Sequence, residues 1–353
     1  MAGVALPRGV GAGEEEVKKI LIVLAAAAAV LVPGAPAFAQ GKPLTDVTLA
    51  VDFIILGRHA AWYVAQEKGY YRQEGINTKV IASRGTGQVL SMLEGNVAQF
   101  GLPDIPGLVL GRAKGSNVRV VAVLYQKSPI SIFSLSPGAN VTRPEDLVGL
   151  EIGTGPETFM LEVIQGFMKQ KGLDPKTLNS NNISPAARIP MFVSRKVPAI
   201  HLFNLSEPGL RAAVKDAQLK MFVLADNGLE LYSLGIGVTD EFLQKNPELV
   251  RGFLRASFRG WQDALRNPEE AAGIQHRTVP TLDKAIVVEE LKILRNLVIT
   301  PEVQANGFGT FTEAKMKASL DFMVNNVGTG GDPVPRVQDL YAAGYLPKDS
   351  IKP

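Results

Sequence analysis

Cysteine is absent from all 353 residues. That excludes disulfides, thiolate metal sites, a cysteine nucleophile and a lipid-bearing cysteine after a leader. Histidine is scarce: His59, His201 and His276 form no pair at helical metal-binding spacing. No Gly-x-Ser-x-Gly elbow occurs. The chain has no excess of one charge, with 37 Lys and Arg against 34 Asp and Glu. A net charge of +3 is too weak to point to nucleic acid or a membrane surface. No apolar run reaches the ~20 residues needed to span a bilayer. Paired acids at Glu269-Glu270 and Glu289-Glu290 read as solvated helix faces rather than acid–base pairs. Enzyme chemistry is poorly supplied, and neither a metal nor an organic cofactor is expected.

What is present begins with a leader. Lys18-Lys19 precedes the apolar run Ile20–Val32, followed by Pro33, Pro36 and Ala37-Phe38-Ala39. This basic, apolar, small-x-small order predicts a secretory signal over 1–39, cleaved near Ala39/Gln40. The expected mature chain is exported to a periplasm and carries no membrane insertion. The acidic, Gly-rich stretch Met1–Glu16 is foreign to such a leader, so translation is expected to start at Val17.

The apolar fraction of 46% can build sizeable cores, and the sequence after the leader is long enough for two domains. β-rich stretches at Val47–Asp52, Ile76–Ala82, Val97–Leu102, Val118–Tyr125 and Ile130–Leu135 alternate with helical patterns. That alternation predicts an α/β fold with largely parallel strands covered on both faces. A second unit is expected from Ser136, with strands at Leu150–Gly153, Ala199–Phe203 and Leu219–Leu224. Tyr232–Val238 then reads as a returning strand, and the rest is helical: Pro247–Arg266, Pro268–Val279, Asp283–Leu297 and Thr312–Asn326. The predicted organisation is therefore lobe one over 40–135, an inserted lobe two over 136–230, and a return to lobe one over 231–353. Two crossings, near Phe133–Ser136 and Ala225–Tyr232, would hinge a cleft that can close.

Arg84-Gly85-Thr86-Gly87-Gln88 follows a strand and opens a helix. Glycine lets a ligand approach the backbone, and the helix start offers unpaired amide hydrogens with partial positive charge. The run lacks both the Lys-Ser/Thr ending of a phosphate loop and the spacing of a dinucleotide fingerprint. Gly153–Thr158 repeats the same logic in lobe two, with Thr154 and Thr158 as candidates and Pro156 suited to a first helical turn. Arg58 and His59 follow the first strand, where an imidazole can donate one hydrogen bond to a planar guest. Asp104 could accept from a ligand amine. Ser128, Asn204 and Glu207 lie at strand ends, where loops serve turns and ligands alike.

These residues resemble a family. His59-Ala-Ala-Trp-Tyr-Val-Ala-Gln-Glu-Lys-Gly-Tyr-Tyr71, Glu74-Gly75-Ile76, Gly85-Thr-Gly87, Gly111-Arg-Ala-Lys-Gly115 and Arg143-Pro-Glu-Asp-Leu147 look like type 2 periplasmic solute-binding proteins of the SsuA/THI5 (NMT1-like) superfamily. The resemblance implies two lobes of mixed sheets flanked by helices, with two hinge crossings. It also implies a small molecule held between the lobes and a monomer that delivers it to a membrane permease with a cytoplasmic ATPase. Its implied ligands are sulfonates, taurine, nitrate or thiamine-related pyrimidines. Its implied contacts fall at His59, Thr86-Gly87-Gln88 and Thr154–Thr158. Pyrimidine binders usually show a Trp-x-Pro-Asn type run where this chain has Phe53–Arg58. The alternative is a pyrimidine synthase, which relies on a cysteine-rich motif absent here.

Overall fold

The computed structural model describes residues 1–5, 43–155, 159–214 and 217–353. Residues 6–39 of the expected leader, its cleavage site, the Val17 start and Thr158 all lie outside these residues. Leu44–Pro353 forms one unit, and among the described residues no helix is long and apolar enough to cross a membrane.

Among the described residues, ten strands build two mixed five-stranded sheets. The first holds β1 (Thr45–Ala50), β2 (Ile76–Ile81), β3 (Phe100–Gly101), β4 (Val118–Val123) and β10 (Gly235–Thr239), in the order β2-β1-β3-β10-β4. The second holds β5 (Ile130–Ser136), β6 (Glu151–Thr154), β7 (Asn179–Asn182), β8 (Ala199–Phe203) and β9 (Gln218–Val223), in the order β7-β6-β8-β5-β9. Each sheet is parallel where helices connect its strands and antiparallel at one inserted strand. In the first sheet β10 runs against β3 and β4; in the second β5 runs against β8 and β9.

Strand β5 was expected to close lobe one at residue 135, but its partners place it in the second sheet. The first crossing therefore runs through Leu124–Pro129, before β5 rather than at its end. Residues 130–135 are apolar enough for either sheet, so periodicity does not assign them. The crossings bond side by side: Leu124 and Tyr125 donate amide hydrogens to Leu234, and Ser233 donates to Tyr125. Gln126 anchors the junction by donating to the carbonyls of Val123 and Thr310.

The helical stretch after β1 is two pieces, Ala60–Glu67 and Tyr70–Gln73. Gly69 interrupts it at φ +71°, a left-handed conformation that favours glycine. Three of the C-terminal helices named above begin at side-chain caps. Asn267 accepts from the Glu270 amide, Asp283 from Ala285 and Ile286, and Thr312 from Lys315. Helix Pro247–Arg266 turns its apolar stripe onto helix Ala60–Glu67. Gly260 permits the close approach, since a Cβ there would stand 2.5 Å from the Ala61 carbonyl oxygen. An aromatic cluster of Trp62, Tyr71, Phe100, Phe253 and Trp261 fills the space between these helices and β3.

Candidate functional site

The ends of β1 and β8, the loop before helix Thr86–Glu94, and helices Met160–Gln170 and Pro185–Val193 surround a cleft of about 470 Å³, its mouth included. The first sheet lines it with Asp52, Phe53, Arg58, Arg84–Thr86, Asp104 and Leu234. Met160, Arg188, His201–Phe203 and Ser206 line it from the second.

On the first-sheet wall, Asp52 follows β1 and joins Arg58, which lines the cleft, to the buried imidazole of His59. Its Oδ2 accepts from Arg58 at 2.7 Å and its Oδ1 from His59 Nε2 at 2.8 Å. Burial opposes ionisation of Asp52, but Arg58 and His59 together hold its carboxyl well below the usual range. His59 does not line the cleft. Its Nδ1 accepts from the Leu56 amide at 3.0 Å, so Nε2 carries the hydrogen given to Asp52. Both ring nitrogens are committed inside the protein, and burial lowers the ring's pKa. The imidazole positions Arg58 through their shared carboxylate rather than meeting a guest.

Glu290 corrects a second expectation. Instead of facing solvent it is 3% exposed, and it accepts the Arg58 amide at 2.9 Å. Helix Lys284–Val298 approaches the loop after β1 closely because residue 57 is glycine. A Cβ there would lie 2.8 Å from Val287 Cα. Burial pushes the Glu290 carboxyl up to about 7, against the charge of Arg58 and two backbone amides. A carboxyl whose folded pKa exceeds its free value of 4.5 binds more protons when folded, so its contribution falls as pH rises from about 4.5 to 7. Glu290→Gln should therefore gain stability relative to wild type on going from pH 5 to pH 8, by on the order of 2–3 kcal/mol. Denaturant titration at the two pH values checks this; a pH-independent difference would refute it.

Gly85 stands at φ +142°, where other residues are strained, and starts helix Thr86–Glu94. Thr86 lines the cleft, and its Oγ1 accepts the Asp104 amide at 3.0 Å. Gln88 instead turns back to accept the Arg84 amide at 2.8 Å, and neither Gln88 nor Gly87 lines the cleft. Asp104 does line it. Burial raises its carboxyl to about 7, partly opposed by the hydroxyl of Ser233, which donates to it.

On the second-sheet wall, Thr154 lies behind His201, its hydroxyl 2.7 Å from the ring Nε2. Burial and the charge of Arg188 keep His201 neutral, and its Nδ1 has no protein partner. Ser206, after β8, likewise leaves a buried Oγ unpartnered. Arg188 is 2% exposed and sits over the Phe53 ring at 5.7 Å, while Arg58 sits over Phe203 at 5.3 Å. Of the other expected residues, Ser128 and Asn204 are near the first crossing, outside the lining, and Glu207 pairs with Arg211 on its own helix.

Sequence reasoning missed Asp52, Phe53, Arg188 and Phe203, and noticed His201 without placing it. The strand-end position of Asp52 and Phe53 was a usable signal. Arg188 gave none, because its helix carries Pro190 internally and so does not read as a helix. Among the described residues no cluster of His, Asp and Glu is arranged to hold a metal ion.

The family described as NMT1/THI5 like matches residues 57–271. The riboflavin-binding protein RibY of Chloroflexus aurantiacus is 29% identical over 336 residues, covering 90% of each chain. A 4-amino-5-hydroxymethyl-2-methylpyrimidine phosphate synthase of Legionella pneumophila is 24% identical, covering 67% of this chain and 74% of its own. Among solved structures, the alkanesulfonate-binding protein SsuA of Xanthomonas axonopodis pv. citri, bound to MOPS, superposes with TM-score 0.66. That superposition is at 14% identity and covers 85% of this chain and 98% of SsuA. The likeness establishes a periplasmic-binding-protein fold.

Proposed function

The chain belongs to the NMT1/THI5-like family, and from that premise we propose that it is an exported solute receptor. It captures one flat heterocyclic molecule between its sheets and passes it, unchanged, to a membrane permease driven by an ATPase. The observation that carries this reading is the cleft itself. Both sheets line it, and Phe53 and Phe203, each under an arginine, offer ring faces to a planar guest. Closure is favoured only by a guest that binds the closed form better than the open one, and contacts from both walls supply that difference. From the sequence-derived candidates, Arg58, Gly85, Thr86 and Asp104 are retained as contacts; Arg188, His201 and Ser206 join them.

The likeness to RibY over nearly the full length makes an isoalloxazine-type ring the first class to try. The synthase among the relatives supports a pyrimidine as the second. Enzyme activity of that kind is disfavoured by the lack of cysteine and by the secretory pattern of Lys18–Ala39.

A thermal-shift screen with riboflavin, N-formyl-aminopyrimidine, alkanesulfonate and nitrate tests the reading. A guest at a hundred times its Kd stabilises the fold by about 2.7 kcal/mol, and the expected hit is a heterocycle. Stabilisation by no heterocycle, or chemical conversion of one that binds, would overturn it.

A further inference from the structure

We propose that Arg188 is the anion anchor of the cleft, and that the captured solute carries a single negative group, a carboxylate or its equivalent, on its flat ring. This deepens the receptor reading and rests on it.

The cations around the cleft differ in what already neutralises them. Arg58 is bonded to Asp52 at 2.7 Å, with Glu290 beside it. Arg188 is as deeply buried but pairs with no carboxylate among the described residues. Among the described residues its Nε is unpartnered, and its hydrogen bonding there is a long 3.5 Å contact to the Ile183 carbonyl oxygen. Burial lowers its pKa only to about 10, so it stays charged at neutral pH. A buried guanidinium without a counter-charge is unfavourable unless something else supplies that charge.

The surroundings are arranged around this cation. Gly155 makes room for it, since a Cβ there would lie 2.6 Å from the guanidinium Nη2. The backbone at Gly155 has no positive φ, so space alone explains the glycine. His201 Nδ1 and Ser206 Oγ line the same wall, each buried and without a protein partner. A guanidinium fork flanked by a hydroxyl and a neutral imidazole matches a planar, two-oxygen anion better than a lone carbonyl. Phe53, beneath Arg188, would stack on the ring that bears it. Among the described residues, the cleft's acids do not compete: Asp52 is taken by Arg58, and Asp104 bonds to Ser233.

The test uses Arg188→Gln, Arg188→Lys and the wild-type chain with matched pairs of probes that differ in one carboxylate on the ring: orotate with uracil, and nicotinate with nicotinamide. In at least one pair the anion should bind wild type about tenfold or more tighter than its neutral partner. Arg188→Gln should erase that preference by lowering affinity for the anion at least tenfold more than for its neutral partner, and Arg188→Lys should keep part of it. Without any probe, Arg188→Gln should melt at or above the wild-type temperature, because it removes a buried charge that no carboxylate among the described residues pairs. A structural arginine would lower it. The inference is overturned if neutral probes bind as tightly as anions, if Arg188→Gln keeps the preference, or if it melts well below wild type. Tight binding of neutral rings alone would leave the receptor reading standing. Binding of no ring of either kind would end both.

Discussion

Replacing Asp52 with asparagine is expected to cost about 3–5 kcal/mol of folding stability at pH 7, the usual result of removing one partner from a buried ion pair. Asp52 is 7% exposed and is the carboxylate shared by Arg58 and His59. Asparagine would keep the shape, remove the charge, and present an amide to a guanidinium that cannot accept from it. Glu290 cannot fully substitute, since burial leaves it partly protonated near neutrality. The pH dependence has a definite sign. The free carboxyl titrates at 3.8 and the folded one lower, so Asp52's contribution is complete above about pH 4 and is lost as pH falls through the folded value. Denaturant unfolding of both proteins should therefore show a large gap at pH 7 that narrows below pH 4. Equal stability at pH 7 would mean that the Asp52–Arg58–His59 arrangement contributes nothing to the fold. Weakened guest binding is expected as well, because Arg58 would no longer be held at the cleft wall.

Phe253→Ala is the second large effect, again about 3–5 kcal/mol, with a drop in melting temperature of roughly 2–4 °C per kcal/mol. Phe253 stacks on Phe100 with ring centroids 3.7 Å apart and lies 5.3 Å from Tyr71 and 6.4 Å from Trp62. Truncation opens a cavity among large rings that cannot collapse, because the sheet and two helices fix their positions. Phe253→Leu fills part of the space and should lose clearly less. Phe253 does not line the cleft, so guest affinity in the surviving folded protein should be unchanged. A fall in affinity as large as the fall in stability would show that the core and the cleft are coupled.

Legibility of the fold followed the strength of local signals. Strand β8 was read at its observed ends because Ala-Ile-His-Leu-Phe is buried throughout between flanking turns. The C-terminal helices were located to within a few residues, since Asn267, Asp283 and Thr312 mark their starts with cap chemistry. Strand β7 left no trace. Asn-Ser-Asn-Asn is an exposed edge strand held by backbone pairing to β6, and it carries no apolar alternation. At the cleft, glycine at 85 was legible because its backbone conformation admits little else.

The chain's own order of residues determined that it is an α/β protein of the NMT1/THI5-like kind, where most of its helices start, and that Arg58, Gly85, Thr86 and Asp104 stand near strand ends. Only the tertiary structure decided that β5 belongs to the second sheet, that His59 and Glu290 are buried supports, and that Arg188 lies beside His201. Periodicity and capping act over a few residues and are written locally, whereas partners 50 or more positions apart depend on which strand lies next to which. A polar side chain's role depends on which of its hydrogen bonds the fold has already satisfied, and that is settled only when the chain has closed around it.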